Sequence, residues 1–190
     1  SLTLKRAREL SLVNKIILAF GMAALTGILA QVRLFLPWTP VPVTCQTFAV
    51  LMAGVILGRN WGGISQIIYV ALGIAGIPWL SVGTAQCAVP TIIGPTGGYL
   101  LGFILAASFV GYVTDKFEWS KGFYQMLGIM IFANFVLIYI PGLLQLNIWL
   151  HLFKGGSSNI AQLLYAGVIP FIAGDLVKIV SAALIARALK

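Results

Sequence analysis

The chain has 190 residues, of which 60% are hydrophobic and only 8% are charged, and its formal net charge is +8. A soluble domain has about a quarter of its residues charged, so this composition excludes an ordinary soluble protein and indicates a surface that contacts membrane lipid. The 12 basic residues lie mostly at the ends of apolar runs, whereas nucleic-acid-binding proteins cluster them on one face, so nucleic-acid binding is not expected.

The apolar runs are long and continuous, which favours membrane-spanning helices over the alternating strands of a barrel. A span needs about 17 to 25 residues. We therefore predict an all-α membrane protein, a single domain over residues 1–190, with six spans: Lys15–Leu36, Thr44–Leu57, Gly63–Ile77, Tyr99–Val113, Gly122–Trp149 and Pro170–Leu189. Pro141-Gly142 is expected to interrupt the fifth run late, which leaves either one kinked span or a span followed by a short outer helix, and a helical piece from Asn159 is expected to precede the sixth.

The longest connection, residues 78–98, is rich in Gly, Pro and Thr. Connections of this length are usually functional, so a pocket wall or lid is favoured over a plain surface loop.

Basic residues in short loops predict the orientation, because Lys and Arg are enriched on the cytoplasmic side. With the N-terminus inside, nine basic residues lie in inner segments and two, Arg33 and Lys154, lie in outer ones; the nine are Lys5, Arg6, Arg8, Lys15, Arg59, Lys116, Lys121, Arg187 and Lys190. Both termini are therefore expected in the cytoplasm, and the protein is expected in the plasma membrane.

Two opposite charges interrupt the last apolar run. Asp175 and Lys178 are three residues apart, which places them on one helical face. From Pro170 they would lie about 8 and 12 Å along the helix, in the outer half of the membrane. Ionisable residues inside a membrane usually serve a function, so a ligand site is favoured over a purely structural ion pair.

Other side chains point to the same outer region. Gln46 follows a Pro-rich turn and Gln86 lies in the long connection, where amides can bind either a ligand or loop backbone. Trp79 and Tyr99 flank these segments, where aromatics serve as interfacial anchors or as pocket walls.

The sequence shows no catalytic or metal-binding pattern. Residues 94–98 (GPTGG) lack the Lys-Ser/Thr ending of a phosphate-binding loop, the single His151 has no obvious partner, and Cys45 and Cys87 lack metal-ligand spacing. We expect neither an enzyme nor a cofactor.

Small residues recur at four-residue intervals in the first span, at Ala19, Ala23 and Gly27. Such a face allows close helix approach in lipid, and it serves either packing within the chain or docking on a partner. We predict a partner interface there and leave internal packing open.

Three segments carry a resemblance: Pro40 to Thr47 (PVPVTCQT), Gly94 to Phe103 (GPTGGYLLGF) and Pro170 to Lys178 (PFIAGDLVK). In order and spacing they resemble the BioY family, the biotin-specific S components of energy-coupling-factor (ECF) transporters. The resemblance implies the six-helix S-component fold, a biotin pocket near the outer face, and a partner module with a transmembrane T component and two ATPases.

The resemblance also implies site roles. Asp175 and Lys178 match the acidic and basic residues of the family's last helix, and Ala19, Ala23 and Gly27 are similar to its motif for the T component. Lys178 suits the biotin carboxylate, Asp175 and the amides suit the ureido donors, and Trp79 or Tyr99 suits the rings. Gln86 lies near a position at which some relatives carry Arg, so its ligand partner stays open. The alternative function is a self-sufficient secondary carrier or a channel for a small anionic solute.

Overall fold

The structure, a computed structural model, describes residues 11–80, 89–154 and 159–189. These residues are mostly helical. In chain order the elements are α1 (Leu12–Gln31), β1 (Arg33–Leu34), β2 (Val43–Thr44), α2 (Gln46–Ile74), α3 (Val89–Ile93), α4 (Gly97–Lys116), a 3-10 turn (Glu118–Lys121), α5 (Phe123–Phe132), a π-helical segment (Ala133–Ile138), α6 (Tyr139–Lys154), α7 (Ile160–Gly167) and α8 (Ile169–Ala188).

Within the described ranges, five helical stretches are long and apolar enough to cross a membrane: Leu12–Gln31, Gln46–Ile74, Gly97–Lys116, Phe123–Leu152 and Ile169–Ala188. The second of them covers most of two of the six predicted spans, Thr44–Leu57 and Gly63–Ile77. Large apolar side chains are exposed on all five stretches, as expected for helices whose outer faces contact lipid chains.

Helix α2 turns back on itself at Gly58. Gly58 has φ 75° and ψ −173°, a conformation that is essentially restricted to glycine. In a straight helix Gly54 and Gly62 would be about 12 Å apart, yet a Cβ on Gly62 would lie 3.0 Å from the Cα of Gly54. The backbone N–H of Arg59 donates to Asp115 Oδ2 at 2.9 Å and thereby caps the second arm. The predicted turn over residues 58–63 is therefore compressed into one residue, and α2 is a hairpin of two arms.

The first helix ends earlier than predicted. It stops at Gln31 rather than Leu36, because Arg33–Leu34 pairs antiparallel with Val43–Thr44. The Pro-rich segment between these strands forms the turn of this small hairpin, which leads the chain directly into α2.

Of the two alternatives at Pro141-Gly142, the single span agrees with the structure and a separate short outer helix does not, since the helix continues through both residues to Lys154. A proline inside an α-helix clashes with the carbonyl four residues earlier, here that of Leu137. Leu137 lies in the π-helical segment Ala133–Ile138, whose wider turn relieves this clash. The predicted helical piece before the last span is confirmed as α7, with the Asn159 side chain accepting from the Ala161 N–H.

Helix α4 packs against both arms of α2 on one side and against the π-helical segment and α6 on the other. Small residues permit this close packing: a Cβ on Gly102 of α4 would lie 2.6 Å from the Cα of Ile138. Helix α1 packs on the second arm of α2, where the buried Gln66 Nε2 donates to Thr26 Oγ1 at 3.4 Å. The N-terminal end of α4 and both ends of α2 consequently lie at one end of the bundle, away from Gly58.

Candidate ligand-binding site

A cavity lies at the end of the bundle opposite Gly58. It holds about 640 Å³ of space free of atoms, its open mouth included. Most of its wall is apolar, and the charged groups lie on one side. The described lining residues are Val41, Pro42, Thr44, Gln46, Thr47, Tyr69, Leu80, Thr91, Thr96, Tyr99, Leu100, Phe103, Ile138, Tyr139, Phe171, Asp175 and Lys178.

The carboxylate of Asp175 is buried and receives four donors. Its Oδ1 accepts from Thr47 Oγ1 at 3.4 Å and pairs with Lys178 Nζ. Its Oδ2 accepts from Asn134 Nδ2 at 2.7 Å and from Tyr139 Oη at 2.5 Å. A carboxylate has about four lone-pair sites, so in this conformation Asp175 is saturated by the protein.

Lys178 has an N–H donor available for a ligand. Its Nζ pairs with Asp175 and donates to the Thr44 carbonyl oxygen at 2.8 Å. An ammonium group has three N–H donors, so one remains uncommitted among the described residues. The Lys178 side chain is 12% exposed and that of Asp175 only 3%, which makes Lys178 the more accessible of the two charges from the cavity.

Local helix geometry explains why these groups meet. Asp175 and Lys178 lie one turn apart on α8, as the spacing of three predicted. Asn134 and Tyr139 are five residues apart, which in an α-helix would turn them about 140° away from each other. The π-helical segment Ala133–Ile138 has i→i+5 bonding, which brings them to nearly the same face. Both side chains therefore reach the same oxygen of Asp175.

The structure brings Gln46 and Tyr99 to the cavity with the charged pair. Gln46 is half-buried at the start of α2. Tyr99 is buried, and its hydroxyl donates to the Gly167 carbonyl at 2.9 Å while its ring meets the Tyr139 ring edge-on at 6.2 Å. Gln86 lies outside the described residues.

Trp79 does not line the cavity. Its Nε1 donates to the Tyr69 carbonyl at 3.0 Å, and its ring centroid lies 5.6 Å from that of Tyr69. A Cβ added to Gly27 would overlap the Trp79 ring. Trp79 is thus wedged between α1 and the second arm of α2, where it holds Tyr69 in place.

The small residues of α1 lie in the interior. Ala19 and Ala23 are fully buried, and Gly27 contacts Trp79. This placement corresponds to packing within the chain, one of the two uses that the sequence left open, and in this conformation the three residues offer no free surface to a partner.

The residues of the site that were not predicted include Thr47, Asn134 and Tyr139 around Asp175, and Tyr69 on the second arm of α2. The sequence does contain a signal for three of them, namely polar residues within apolar runs. Asn134 and Tyr139 interrupt the apolar run of residues 128–141, and Tyr69 interrupts that of residues 67–74. Polar side chains inside a membrane helix usually face a neighbouring helix or a cavity rather than lipid.

Comparison with known proteins identifies the family. A sequence model described as "BioY family" matches residues 4–190, nearly the whole chain. The chain belongs to the BioY family. Relatives include "Probable biotin transporter BioY" of Methanothermobacter thermautotrophicus, 49% identical over 73% of this chain and 87% of that protein. "Biotin transporter BioY" of Thermotoga maritima is 38% identical over 82% of this chain and 84% of that protein.

A solved structure shares the fold. It is the "Crystal structure at 2.1 A of the S-component for biotin from an ECF-type ABC transporter", with a TM-score of 0.78 and 26% identity over 93% of this chain and 90% of that chain. The transporter relatives and the five apolar helical stretches place this BioY family member among multi-pass membrane proteins.

Proposed function

We propose that this chain is the membrane-embedded biotin-binding subunit of an ECF-type transporter, which captures biotin at the outer face of the plasma membrane. The observation that carries the proposal is a lysine with an uncommitted N–H on the wall of an otherwise mostly apolar cavity, in a chain of the BioY family. Biotin combines a carboxylate, an apolar chain and ring, and a ureido group. A cavity with one accessible cation and apolar walls is complementary to such a molecule.

In the proposed complex Lys178 binds the biotin carboxylate, because an ammonium group is a compact point charge that suits an anion. Asp175 contributes by fixing Lys178, since its own oxygens are occupied by Lys178, Thr47, Asn134 and Tyr139. The amide of Gln46 accepts from a ureido N–H. We assign a similar amide role to Gln86.

Tyr99 provides an apolar face for the bicyclic ring, with its hydroxyl held by the Gly167 carbonyl. Aromatic rings of this kind bury a large area and are restricted in geometry, so they orient a ring-shaped ligand well.

For the topology we propose that the two arms of α2 are separate spans, which gives six, and that both termini are cytoplasmic. Arg59 and Lys116 lie at the Gly58 end of the bundle, where Asp115 contacts Gly58 and Arg59. Basic residues favour the cytoplasmic side. The cavity at the opposite end then opens to the outside.

The proposed partners are a transmembrane T component and two ATPases. Residues 1–190 contain no phosphate-binding loop of the GxxxxGK[ST] type, and we assign ATP binding to the two partner ATPases. The solved structure that shares this fold is, by its own description, the S component of an ECF-type ABC transporter.

A vesicle experiment tests this function. Vesicles reconstituted with this chain alone should retain radiolabelled biotin up to one molecule per chain and should not concentrate it in the lumen, with or without a proton or sodium gradient. Empty vesicles and vesicles with Lys178→Ala serve as controls. Gradient-driven accumulation by the chain alone would identify a self-sufficient secondary carrier, and rapid equilibration of biotin across the membrane would identify a channel.

A further inference from the structure

Tyr69 is a cavity residue to which the site described above assigns no role. Its side chain is fully buried, it lines the cavity, and its hydroxyl has no hydrogen-bond partner. Three buried side-chain atoms in the described part of the chain lack a partner, on Gln66, Tyr69 and Asn134, and of these residues only Tyr69 belongs to the cavity lining. Buried polar groups are normally hydrogen-bonded, so this hydroxyl is a candidate for a ligand contact.

Other hydroxyl groups of the lining donate to the protein itself. Tyr139 and Thr47 donate to Asp175, and Tyr99 donates to the Gly167 carbonyl. Thr91 and Thr96 donate to backbone carbonyls at 2.9 and 3.0 Å. The Tyr69 hydroxyl is therefore the uncommitted buried donor among the tyrosines that line the cavity.

The hairpin of α2 places Tyr69 at the depth of the charged pair. Thr47 and Tyr69 are each eleven residues from Gly58, on opposite arms, or about 16 Å along each arm. The first arm contacts α8 through the Thr47–Asp175 bond. The second arm packs on α1 and Trp79. Tyr69 thus lines the cavity from the second arm, at a depth similar to that of Thr47, which bonds Asp175 from the first arm.

Trp79 fixes the position of Tyr69. The Trp79 indole donates to the Tyr69 carbonyl and packs against the Tyr69 ring, and it is itself wedged against Gly27 and Gly73. A side chain held in this way loses little conformational entropy when a ligand binds, which favours a directional hydrogen bond.

We propose that the Tyr69 hydroxyl donates a hydrogen bond to the ureido carbonyl oxygen of bound biotin. This inference rests on the proposed function, in which Lys178 takes the carboxylate and the Gln46 amide accepts from a ureido N–H. The carbonyl oxygen is the remaining strong acceptor of the ligand, and it lies at the end of the molecule away from the carboxylate. A ligand that spans the cavity from Lys178 to Tyr69 satisfies both ends.

The test compares biotin with 2-thiobiotin, in which sulfur, a weaker acceptor, replaces the ureido oxygen. Tyr69→Phe removes only the hydroxyl and should weaken biotin binding by about 5- to 150-fold, the range for a buried acceptor left unsatisfied. It should weaken 2-thiobiotin binding much less, so the preference for biotin should fall. The ligand-free Tyr69→Phe protein should unfold at the same or a higher temperature, because an unpartnered buried hydroxyl is removed.

Tyr124→Phe is the matched control, since Tyr124 is 81% exposed, and it should leave both affinities unchanged. If Tyr69→Phe keeps the native affinity for biotin, or lowers both affinities by the same factor, the assignment of Tyr69 is wrong while the proposed function stands. If the native protein binds neither compound, the proposed function and this inference are both wrong.

Discussion

Replacing Lys178 by alanine should weaken biotin binding by about 10- to 150-fold while the protein still folds and inserts. A charge-assisted hydrogen bond contributes about 1.5 to 3 kcal/mol net, and each 1.4 kcal/mol is a factor of ten in affinity. The buried carboxylate of Asp175 keeps three hydrogen-bond donors in this variant, those of Thr47, Asn134 and Tyr139. Binding to detergent-purified protein measures the affinity, and thermal unfolding checks the fold.

An uncharged analogue sharpens this test. On the native protein biotin amide should bind more weakly than biotin, because it lacks the charge that Lys178 recognises. On Lys178→Ala the two compounds should bind with similar affinity. Lys116→Ala is the matched control, since Lys116 is exposed and lies at the Gly58 end of the bundle. If Lys178→Ala retains the native ratio of the two affinities, Lys178 does not hold the carboxylate.

Replacing Asp175 by asparagine should lower the stability of the fold by about 3 to 5 kcal/mol, the range measured when one partner of a buried ion pair is removed. Asparagine keeps the size but brings its own NH₂ donors into a site where four donors already converge. At least two hydrogen bonds are lost, and Lys178 is left unpaired. Thermal unfolding of the ligand-free protein should show a large decrease in the unfolding temperature.

Two further variants show how much of this loss of stability comes from the unpaired Lys178 and how much from single hydrogen bonds to Asp175. The double variant Asp175→Asn/Lys178→Met should recover part of the stability, because it removes the unpaired cation. Thr47→Val removes the 3.4 Å bond to Asp175 and should change stability far less. Asp175→Asn should weaken biotin and biotin amide alike, because Lys178 still carries the charge that distinguishes them. A wild-type unfolding temperature for Asp175→Asn would contradict the view that Asp175 is the anchor of the site.

Local patterns predicted much of the fold and part of the site. Apolar runs located the helices, and the i,i+3 spacing on α8 predicted that Asp175 and Lys178 share a face, which is the face that lines the cavity. The distinctive segments from Pro40 to Thr47 and from Pro170 to Lys178 also meet in space, since Lys178 Nζ donates to the Thr44 carbonyl. These features depend on residues close in sequence or on composition, which the sequence displays directly.

The remaining features depend on contacts between distant residues. Thr47 is 128 residues from Asp175, and Asn134 is 41 residues away from it, so neither contact follows from local spacing. The passage of the helix through Pro141 depends on a π-helical segment that proline rules do not anticipate. The small-residue face with Ala19 and Ala23 suits internal packing and partner docking equally. Only the position of the second arm of α2, which is not visible in the sequence, shows that this face is packed inside the chain.

The most direct test of the central claim is native mass spectrometry of the purified chain, without partners, after incubation with biotin. We expect a mass increase of one biotin per chain, and at a biotin concentration near the native Kd this increase should become much less abundant in Lys178→Ala and stay unchanged in Lys116→Ala. If the folded native chain gains no biotin, or if Lys178→Ala binds biotin as well as the native chain does, the assignment of this chain as a biotin-binding subunit that uses Lys178 is wrong.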